Sequence, residues 1–223
     1  MIKIVVITLL FCLAFPLAHL WARDSLQVDD VPLRVQLDGL DPVSRIAYLR
    51  YLVSIGRDEG EVYFQLGVAF HQSDTPDSAE YYYGKAIDSS PELSKAHVNL
   101  GVLYDTRGDA SLALSEFQIA LAIDPDDILA LSHAAFLQFL RGRHGKADEY
   151  ISQAIELDPE SPQPHLYMAI FFWESGIYRE ALLEWERVIE LAPESGLADR
   201  ARENITLMQN ALRGAADRPT ARE

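Results

Sequence analysis

The chain has 223 residues and a formal net charge of −15, with 49% hydrophobic and 24% charged side chains. This composition is typical of one folded domain with a small addition. A negative surface repels nucleic acids and anionic lipid headgroups, which argues against phosphate binding. Because the single cysteine is Cys12, the remaining chain has no disulfide framework, thiolate metal site or thiol nucleophile.

Residues 1–22 have the pattern of an export signal. Lys3 supplies a positive start, an apolar run follows, and small residues precede a predicted cleavage site after Ala22. We therefore expect an exported chain, in the periplasm or another extracytoplasmic compartment. The alternative is an uncleaved anchor in the inner membrane, because residues 4–22 are just long enough to cross a bilayer. In that case residues 1–22 form the membrane contact.

The two segments that follow are predicted to differ in structure. In residues 23–40, Leu33, Val35 and Leu37 alternate with polar residues, which favours an extended segment lying on an apolar surface. Residues 41–59 begin with an Asp–Pro pair that is typical of a helix start. They are predicted to form an N-terminal capping helix.

The central part of the chain is periodic. Prolines recur every 34 residues, at Pro91, Pro125, Pro159 and Pro193, near the ends of four units: 60–93, 94–127, 128–161 and 162–195. Each unit has two apolar stripes at helical spacing with turn residues between them, which predicts a pair of amphipathic helices. Because one such pair cannot bury its own apolar face, the four pairs are expected to stack.

Residues of one type recur at fixed places, counted from the first residue of each unit. Place 8 holds Gly67, Gly101, Ala135 and Ala169; place 20 holds Ala79, Ala113, Ala147 and Ala181; and place 24 holds the large residues Tyr83, Phe117, Ile151 and Trp185. Over residues 60–195 these columns resemble the tetratricopeptide repeat (TPR) family. The resemblance implies an all-α fold, a right-handed α-solenoid of four stacked TPR helix hairpins with flanking capping helices.

The C-terminal residues are predicted to close this stack. Residues 196–213 carry one apolar stripe on an otherwise polar helix, formed by Leu197, Ala201, Ile205, Met208 and Leu212. Such a helix is typical of the end of a repeat array. Residues 214–223 show no periodicity and are predicted to be a disordered tail.

The sequence contains no motif for catalysis. It has no nucleotide-binding loop, no HExxH zinc motif, no haem-attachment motif and no GxSxG motif. His97 and His165 occupy a helix-packing place, so we expect each to find a polar partner inside the fold. His71 and His133 lie on the opposite face of their helices, and no carboxylate completes a metal shell for them. We predict no enzyme activity, no cofactor and no metal.

The resemblance to the TPR family implies that the first helices of the four units line a concave groove for a partner. The candidate binding residues are Phe136, Phe139, Leu140, Leu166, Tyr167, Ile170, Trp173, Lys95, Asn99 and His133. Lys95 and Asn99 are expected to make polar contacts with a partner's backbone or acidic group. The clamp with which some family members hold a terminal carboxylate is incomplete, because Leu129 and His133 stand where basic residues are needed.

Residues 165–173 are hydrophobic around the whole helix, so the outer face of this helix needs a cover. Three explanations stay open. The cover is the chain's own flanks, with residues 24–40 as the candidate; or it is a peptide or helix of a partner; or it is another copy of the chain.

These features predict an exported, non-catalytic TPR scaffold that mediates protein–protein interactions in envelope assembly. Its partner is expected to present a short apolar or aromatic stretch; nucleic acids and small-molecule substrates are not expected. The alternatives are a self-associating structural protein, and an accessory or metal-binding subunit of an envelope enzyme.

Overall fold

The structure is a computed structural model that describes Leu33 and residues 37–216, with side chains to residue 213. The described residues form ten helices: α1 (Pro42–Ser54), α2 (Gly60–Gln72), α3 (Pro76–Ser89), α4 (Ser94–Arg107), α5 (Ala110–Ile123), α6 (Ile128–Leu140), α7 (His144–Leu157), α8 (Pro162–Glu174), α9 (Tyr178–Leu191) and α10 (Gly196–Ala216). These residues contain no β-strand, which confirms the predicted all-α fold. None of the described helices is both long and apolar enough to span a membrane. The predicted signal at residues 1–22 lies outside the described residues.

The chain divides into two compact units, residues 1–48 and residues 49–223. In the first unit the backbone is helical at Leu33 and Leu37, so the prediction of an extended segment is wrong at these two positions. A separation of four residues fits one face of a helix as well as one side of a strand. An alternating pattern contains the same spacing, so the pattern alone does not separate the two structures. Val35 lies outside the described residues.

In the second unit, α2 to α9 form four helix pairs, in which each first helix packs against the second helix that follows it. Between the two helices, the same place of each repeat has a positive φ. This residue is Gly108, Gly142 or Gly176 in three pairs, with φ between 71° and 86°, and Asp74 in the first pair, with φ 53°. Glycine adopts this conformation without steric cost, and aspartate is one of the few other residues that tolerate it.

Small residues allow the two helices of a pair to approach closely. The alanines at place 20 of all four units are fully buried. At place 8, a Cβ on Gly67 would collide with the ring of Tyr83, and a Cβ on Gly101 would lie 2.7 Å from Cε1 of Phe117. In the first two pairs, an aromatic ring therefore fills the space that a side chain at place 8 would need.

Consecutive pairs stack through contacts between neighbouring helices. The second helices α3, α5 and α7 contact the first helices α4, α6 and α8 that follow them. In addition, α4 contacts α6, and α6 contacts α8. The first helices of the last three pairs thus lie side by side, and this brings their side chains onto a common surface.

The last helix, α10, packs on α8 and α9 and buries Ala198, Ala201 and Met208. Leu212 is exposed, so the buried stripe ends at Met208 rather than at Leu212. The helix continues to Ala216, and the prediction of a disordered tail is therefore wrong for its first three residues. Once packing has fixed part of a helix, adding further residues to its end costs little free energy. A helix can therefore continue past the last residue of its apolar stripe.

Candidate partner-binding surface

The predicted binding residues lie on α4, α6 and α8, and contacts between neighbouring first helices connect them. Glu61 of α2 forms an ion pair with Lys95 of α4 at 2.5 Å. On α6, Nδ1 of His133 lies 3.8 Å from Oδ2 of Asp105 on α4 and 3.0 Å from the hydroxyl of Tyr167 on α8. We call the side of α2, α4, α6 and α8 that carries Lys95, Asp105 and His133 the first-helix surface.

Two of the predicted binding residues are buried beneath this surface. Leu166 stands at place 5, and the residues at this place are buried in all four units. They are Phe64, Val98, Ser132 and Leu166. Tyr167 is 3% exposed, whereas the residues at the same place of the other units are half-buried. Neither residue offers area to a partner, so the prediction that they contact one directly is wrong.

Phe136 and Phe139 are half-buried, and each stacks on a buried ring of α8. The ring centroids of Phe136 and Tyr167 are 4.7 Å apart and those of Phe139 and Phe171 are 4.3 Å apart, with an interplanar angle of 12° in both pairs. Stacked aromatic pairs contribute about 0.5–1.5 kcal/mol beyond the area that they bury. The exposed parts of both phenylalanines are therefore held in fixed positions before any partner binds.

The other apolar candidates differ in how far they reach solvent. Leu140 is 62% exposed at the end of α6. Ile170 and Trp173 are half-buried on α8. The Trp173 ring lies 5.2 Å from that of Tyr178 and 6.4 Å from that of Trp185, measured between centroids. Trp173 thus supports the last helix pair as well as facing solvent, while Leu140 is free of such a role.

The two predicted polar contacts are already engaged within the chain. Besides its ion pair with Glu61, the ammonium of Lys95 lies 4.7 Å from the centroid of the Phe64 ring. The side-chain amide of Asn99 donates to the carbonyl oxygen of Lys95 at 2.8 Å. A partner would have to compete with these contacts in order to use either side chain.

The sequence predicts a polar partner for His97 and for His165, and this is confirmed. Nδ1 of His97 lies 2.8 Å from Oε2 of Glu116. Nδ1 of His165 lies 2.6 Å from Oε2 of Glu184, and its Nε2 lies 3.0 Å from the carbonyl oxygen of Pro159. The hydrogen bond with Glu184 raises the pKa of His165 above its ordinary value of 6.5, against the opposing effect of burial.

The partner glutamates are missed by the sequence analysis, although a signal for them is present. Glu116 and Glu184 occupy the same place of the second and fourth units, and these are the two units that have histidine at place 4. The other two units have different pairs at these places: Tyr63 with Tyr82, and Leu131 with Tyr150. Comparing the two columns with each other would have found the pairs.

The apolar helix α8 is covered mainly by the chain itself, through α6, α7, α9 and α10. Leu166, Ala169 and Phe171 are buried, and Leu166 belongs to the cluster that includes Ala201 of α10. The C-terminal flank α10 therefore covers this side of α8, whereas most of residues 24–40, the candidate cover, lie outside the described residues. Ile170 remains half-exposed.

A second apolar surface, which the sequence analysis does not predict, lies on α5. Leu112, Ile119 and Ile123 are exposed there, and a shallow cavity of about 400 Å³ is lined by Leu121 of the same helix and Tyr150 of α7.

Within the described part of the chain, no three histidine, cysteine or acidic side chains lie together as a metal ion would require.

Comparison with known proteins identifies the repeats. Family models described as tetratricopeptide repeat match residues 66–128 and residues 131–161. The chain contains tetratricopeptide repeats. A crystal structure of a thermophilic TPR protein from Thermus thermophilus has the same fold, with a TM-score of 0.60 and 17% identity over 72% of this chain and 89% of that chain. The all-α TPR solenoid predicted from the sequence is thus confirmed.

The chain is similar in sequence to curated proteins of different kinds. The chain is 29% identical over 100 residues to the type IV pilus assembly protein PilF of Pseudomonas aeruginosa. The aligned residues make up 44% of this chain and 40% of PilF. It is 33% identical over 97 residues to the protein O-mannosyl-transferase F38B6.6 of Caenorhabditis elegans. These residues make up 43% of this chain and 14% of that protein. The chain spans 11% to 40% of the length of the curated relatives that it matches. A TPR scaffold of this kind is suited to protein–protein interaction.

Proposed function

We propose that this chain is an exported, non-catalytic scaffold, and that its first-helix surface docks a short apolar or aromatic segment of a partner protein in envelope assembly. The observation that carries the proposal is the arrangement of Phe136, Phe139 and Leu140. Two of these residues are fixed by stacking on α8, and the third is largely exposed beside them.

The expected affinity is modest. Each large apolar side chain that is removed from water contributes roughly 1.5–3 kcal/mol. Ordering a short peptide costs about 1–2 kcal/mol for each residue fixed. Three or four apolar contacts together can offset the ordering of a short segment and leave a modest net gain, so we expect a dissociation constant on the order of micromolar. The fixed rings help, because the surface itself loses little freedom on binding.

Envelope location and absence of catalysis have separate support. The export signal at residues 1–22 supports the location, and so does the similarity to PilF, which is named as a pilus assembly protein. One relative is named as a transferase, but the chain covers 14% of its length. So small a share of that protein does not carry its transferase activity over to this chain, and the TPR repeats support a scaffold role.

The docking site is tested by site-specific photo-cross-linking in intact cells. The cross-linking residue replaces Leu140 on α6 in one variant and Leu112 on α5 in the other; the two leucines are 62% and 51% exposed. We expect a defined protein adduct from position 140 and none from position 112. Equal labelling from both positions, or labelling from position 112 alone, contradicts the proposed surface.

Export is tested by sequencing the N-terminus of the protein in fractionated cells. Cleavage after Ala22 predicts a mature chain that begins at Arg23 and is recovered in the soluble envelope fraction. A chain that retains Met1 in the membrane fraction would show the uncleaved anchor instead. Recovery of the intact chain in the cytoplasmic fraction would contradict export altogether.

A further inference from the structure

A carboxylate without a fixed counter-ion among the described residues lies at the border of the aromatic part of the first-helix surface. Asp105 of α4 has a 25% exposed side chain, and the ion pair that the described residues provide for it is with His133, at 3.8 Å. The neighbouring acidic side chain on this surface, Glu61, differs in this respect because it is paired with Lys95 at 2.5 Å. A carboxylate in such a position attracts a cation from outside the chain.

His133 lies too far from Asp105 for a hydrogen bond. Its Nδ1 lies 3.0 Å from the hydroxyl of Tyr167, much closer than it lies to the carboxylate. Burial raises the pKa of Tyr167, and the charge of Asp105 raises it further. The hydroxyl therefore keeps its proton. It lies within hydrogen-bond distance of Nδ1, whereas the carboxylate of Asp105 does not. The charge of Arg200 on α10 acts on the hydroxyl in the opposite direction and less strongly.

Asp105 is connected to the aromatic rings by direct contacts. The chain of contacts runs from Asp105 to His133, from His133 to Tyr167, and from Tyr167 to Phe136, whose ring stacks on Tyr167 at 4.7 Å. A segment that covers Phe136 thus places its neighbouring residues near the carboxylate. A cation held beside aromatic rings also gains from their negative faces.

The charge distribution disfavours two other occupants of this surface. A second copy of the chain has a net charge of −15 and would approach this equally charged molecule against repulsion. The chain's own residues 24–40 contain four aspartates against the single Arg34. The carboxylate of Asp105 favours a partner segment of the opposite charge.

We infer that the segment docked on the first-helix surface carries a lysine or arginine next to its apolar or aromatic residues, and that this cation pairs with Asp105. The inference rests on the proposed function, which supplies the docked segment. It adds the charge of the partner, and it makes Asp105 a residue that determines specificity.

The test is a selection of phage-displayed random peptides on the full chain and on three variants. Asp105→Asn removes the charge with almost no change of shape. Asp88→Asn removes one charge from an exposed position on α3 and serves as the matched control. Leu140→Ser removes exposed apolar area. On the wild type and on Asp88→Asn we expect peptides in which lysine or arginine accompanies aromatic or large aliphatic residues.

On Asp105→Asn we expect the aromatic preference to persist and the preference for lysine and arginine to disappear. A synthetic peptide selected on the wild type should bind Asp105→Asn about three- to tenfold more weakly, and Asp88→Asn with less than about a twofold change. Leu140→Ser should weaken all selected peptides. Unchanged thermal melting of Asp105→Asn excludes a loss of fold.

Each contrary outcome has a definite meaning. Aromatic peptides without an excess of cations, or equal losses with Asp105→Asn and Asp88→Asn, overturn the inference and leave the proposed function standing. Competition by a synthetic peptide of residues 24–40, or a dimer that Leu140→Ser dissociates, assigns the surface to the chain itself and overturns the inference as well. Enrichment of no peptide class, together with no cross-link from position 140, overturns the proposed function.

Discussion

In the second repeat, the first-helix surface is formed by polar side chains that bond to their own chain, whereas in the fourth repeat it rests on buried aromatic rings. The same repeat place holds Asn99 in one and Tyr167 in the other. Asn99 donates to the carbonyl oxygen of Lys95, and Tyr167 lies beneath Phe136. The comparison teaches that the repeat fold specifies the interior of each helix pair and leaves this surface free to vary in chemistry.

The largest expected difference between the two repeats comes from this shared place. Tyr167→Ala removes a buried ring, its stacking on Phe136 and its hydrogen bond to His133, and should lower the free energy of unfolding by about 3 kcal/mol. Asn99→Ala removes a half-buried amide and should change it by less than about 0.5 kcal/mol. Urea unfolding followed by circular dichroism measures both. Similar losses in the two variants would contradict the difference proposed between the second and fourth repeats.

The second difference lies within the helix pairs. Gly67→Ala places a methyl group against the ring of Tyr83, and we expect a loss of about 1–3 kcal/mol from overpacking. The reverse change at the equivalent place of the third repeat, Ala135→Gly, should cost about 1.5–2 kcal/mol through helix propensity and a lost buried methyl group. Thermal melting of the two variants tests the prediction. A gain of stability in Gly67→Ala would show that Tyr83 moves aside easily.

The third prediction concerns the buried histidine of the fourth repeat. Because the pKa of His165 is raised above 6.5, its pairing with Glu184 stabilises the fold fully below about pH 6.5. This contribution is lost as the pH rises through the raised pKa of the folded state. Glu184→Gln should therefore cost about 1–2 kcal/mol at about pH 6 and much less at about pH 9. Urea midpoints measured across this range provide the test.

The third repeat supplies a control for that experiment, because it fills the same two places with Leu131 and Tyr150. A variant that carries both His165→Leu and Glu184→Tyr should lose the part of the pH dependence that Glu184→Gln removes. If its pH dependence equals that of the wild type, the titration belongs to another group.

The smallest effect is expected at the polar end of the surface. Lys95→Met removes the ion pair with Glu61 and keeps the apolar stem of the side chain. The side chain of Lys95 is 47% exposed, and exposed pairs contribute about 0.2–1 kcal/mol. The loss should shrink further in high salt, because exposed charges are screened. A loss as large as that of Tyr167→Ala would contradict the contrast between the two repeats.

Much of the fold follows from the spacing of residues in the sequence. The recurrence of small residues at places 8 and 20 predicts the helix pairs. Gly101 at place 8 lies beneath the ring of Phe117 at place 24, which shows why a small residue at place 8 accompanies a large one at place 24. The candidate surface follows less completely. Leu166 lies at a place that looks solvent-facing on a single helix, but contacts between neighbouring helices bury it. A pattern along one helix does not contain this information.

The remaining gaps have a similar cause. The alternation of Leu33 and Leu37 is compatible with a strand and with a helix, and short apolar runs do not separate the two. The importance of Asp105 depends on its distance from His133 of the next repeat, and no spacing within one repeat reports that distance.

The position of α10 has a consequence for assembly. Because α10 packs on both α8 and α9 and buries Ala198, Ala201 and Met208, the open side of the last repeat is already occupied. A second molecule in head-to-tail register cannot pack directly on these faces of α8 and α9 without first displacing a helix of 21 residues. Contact between two molecules through the last repeat would therefore have to use the outer face of α10 instead.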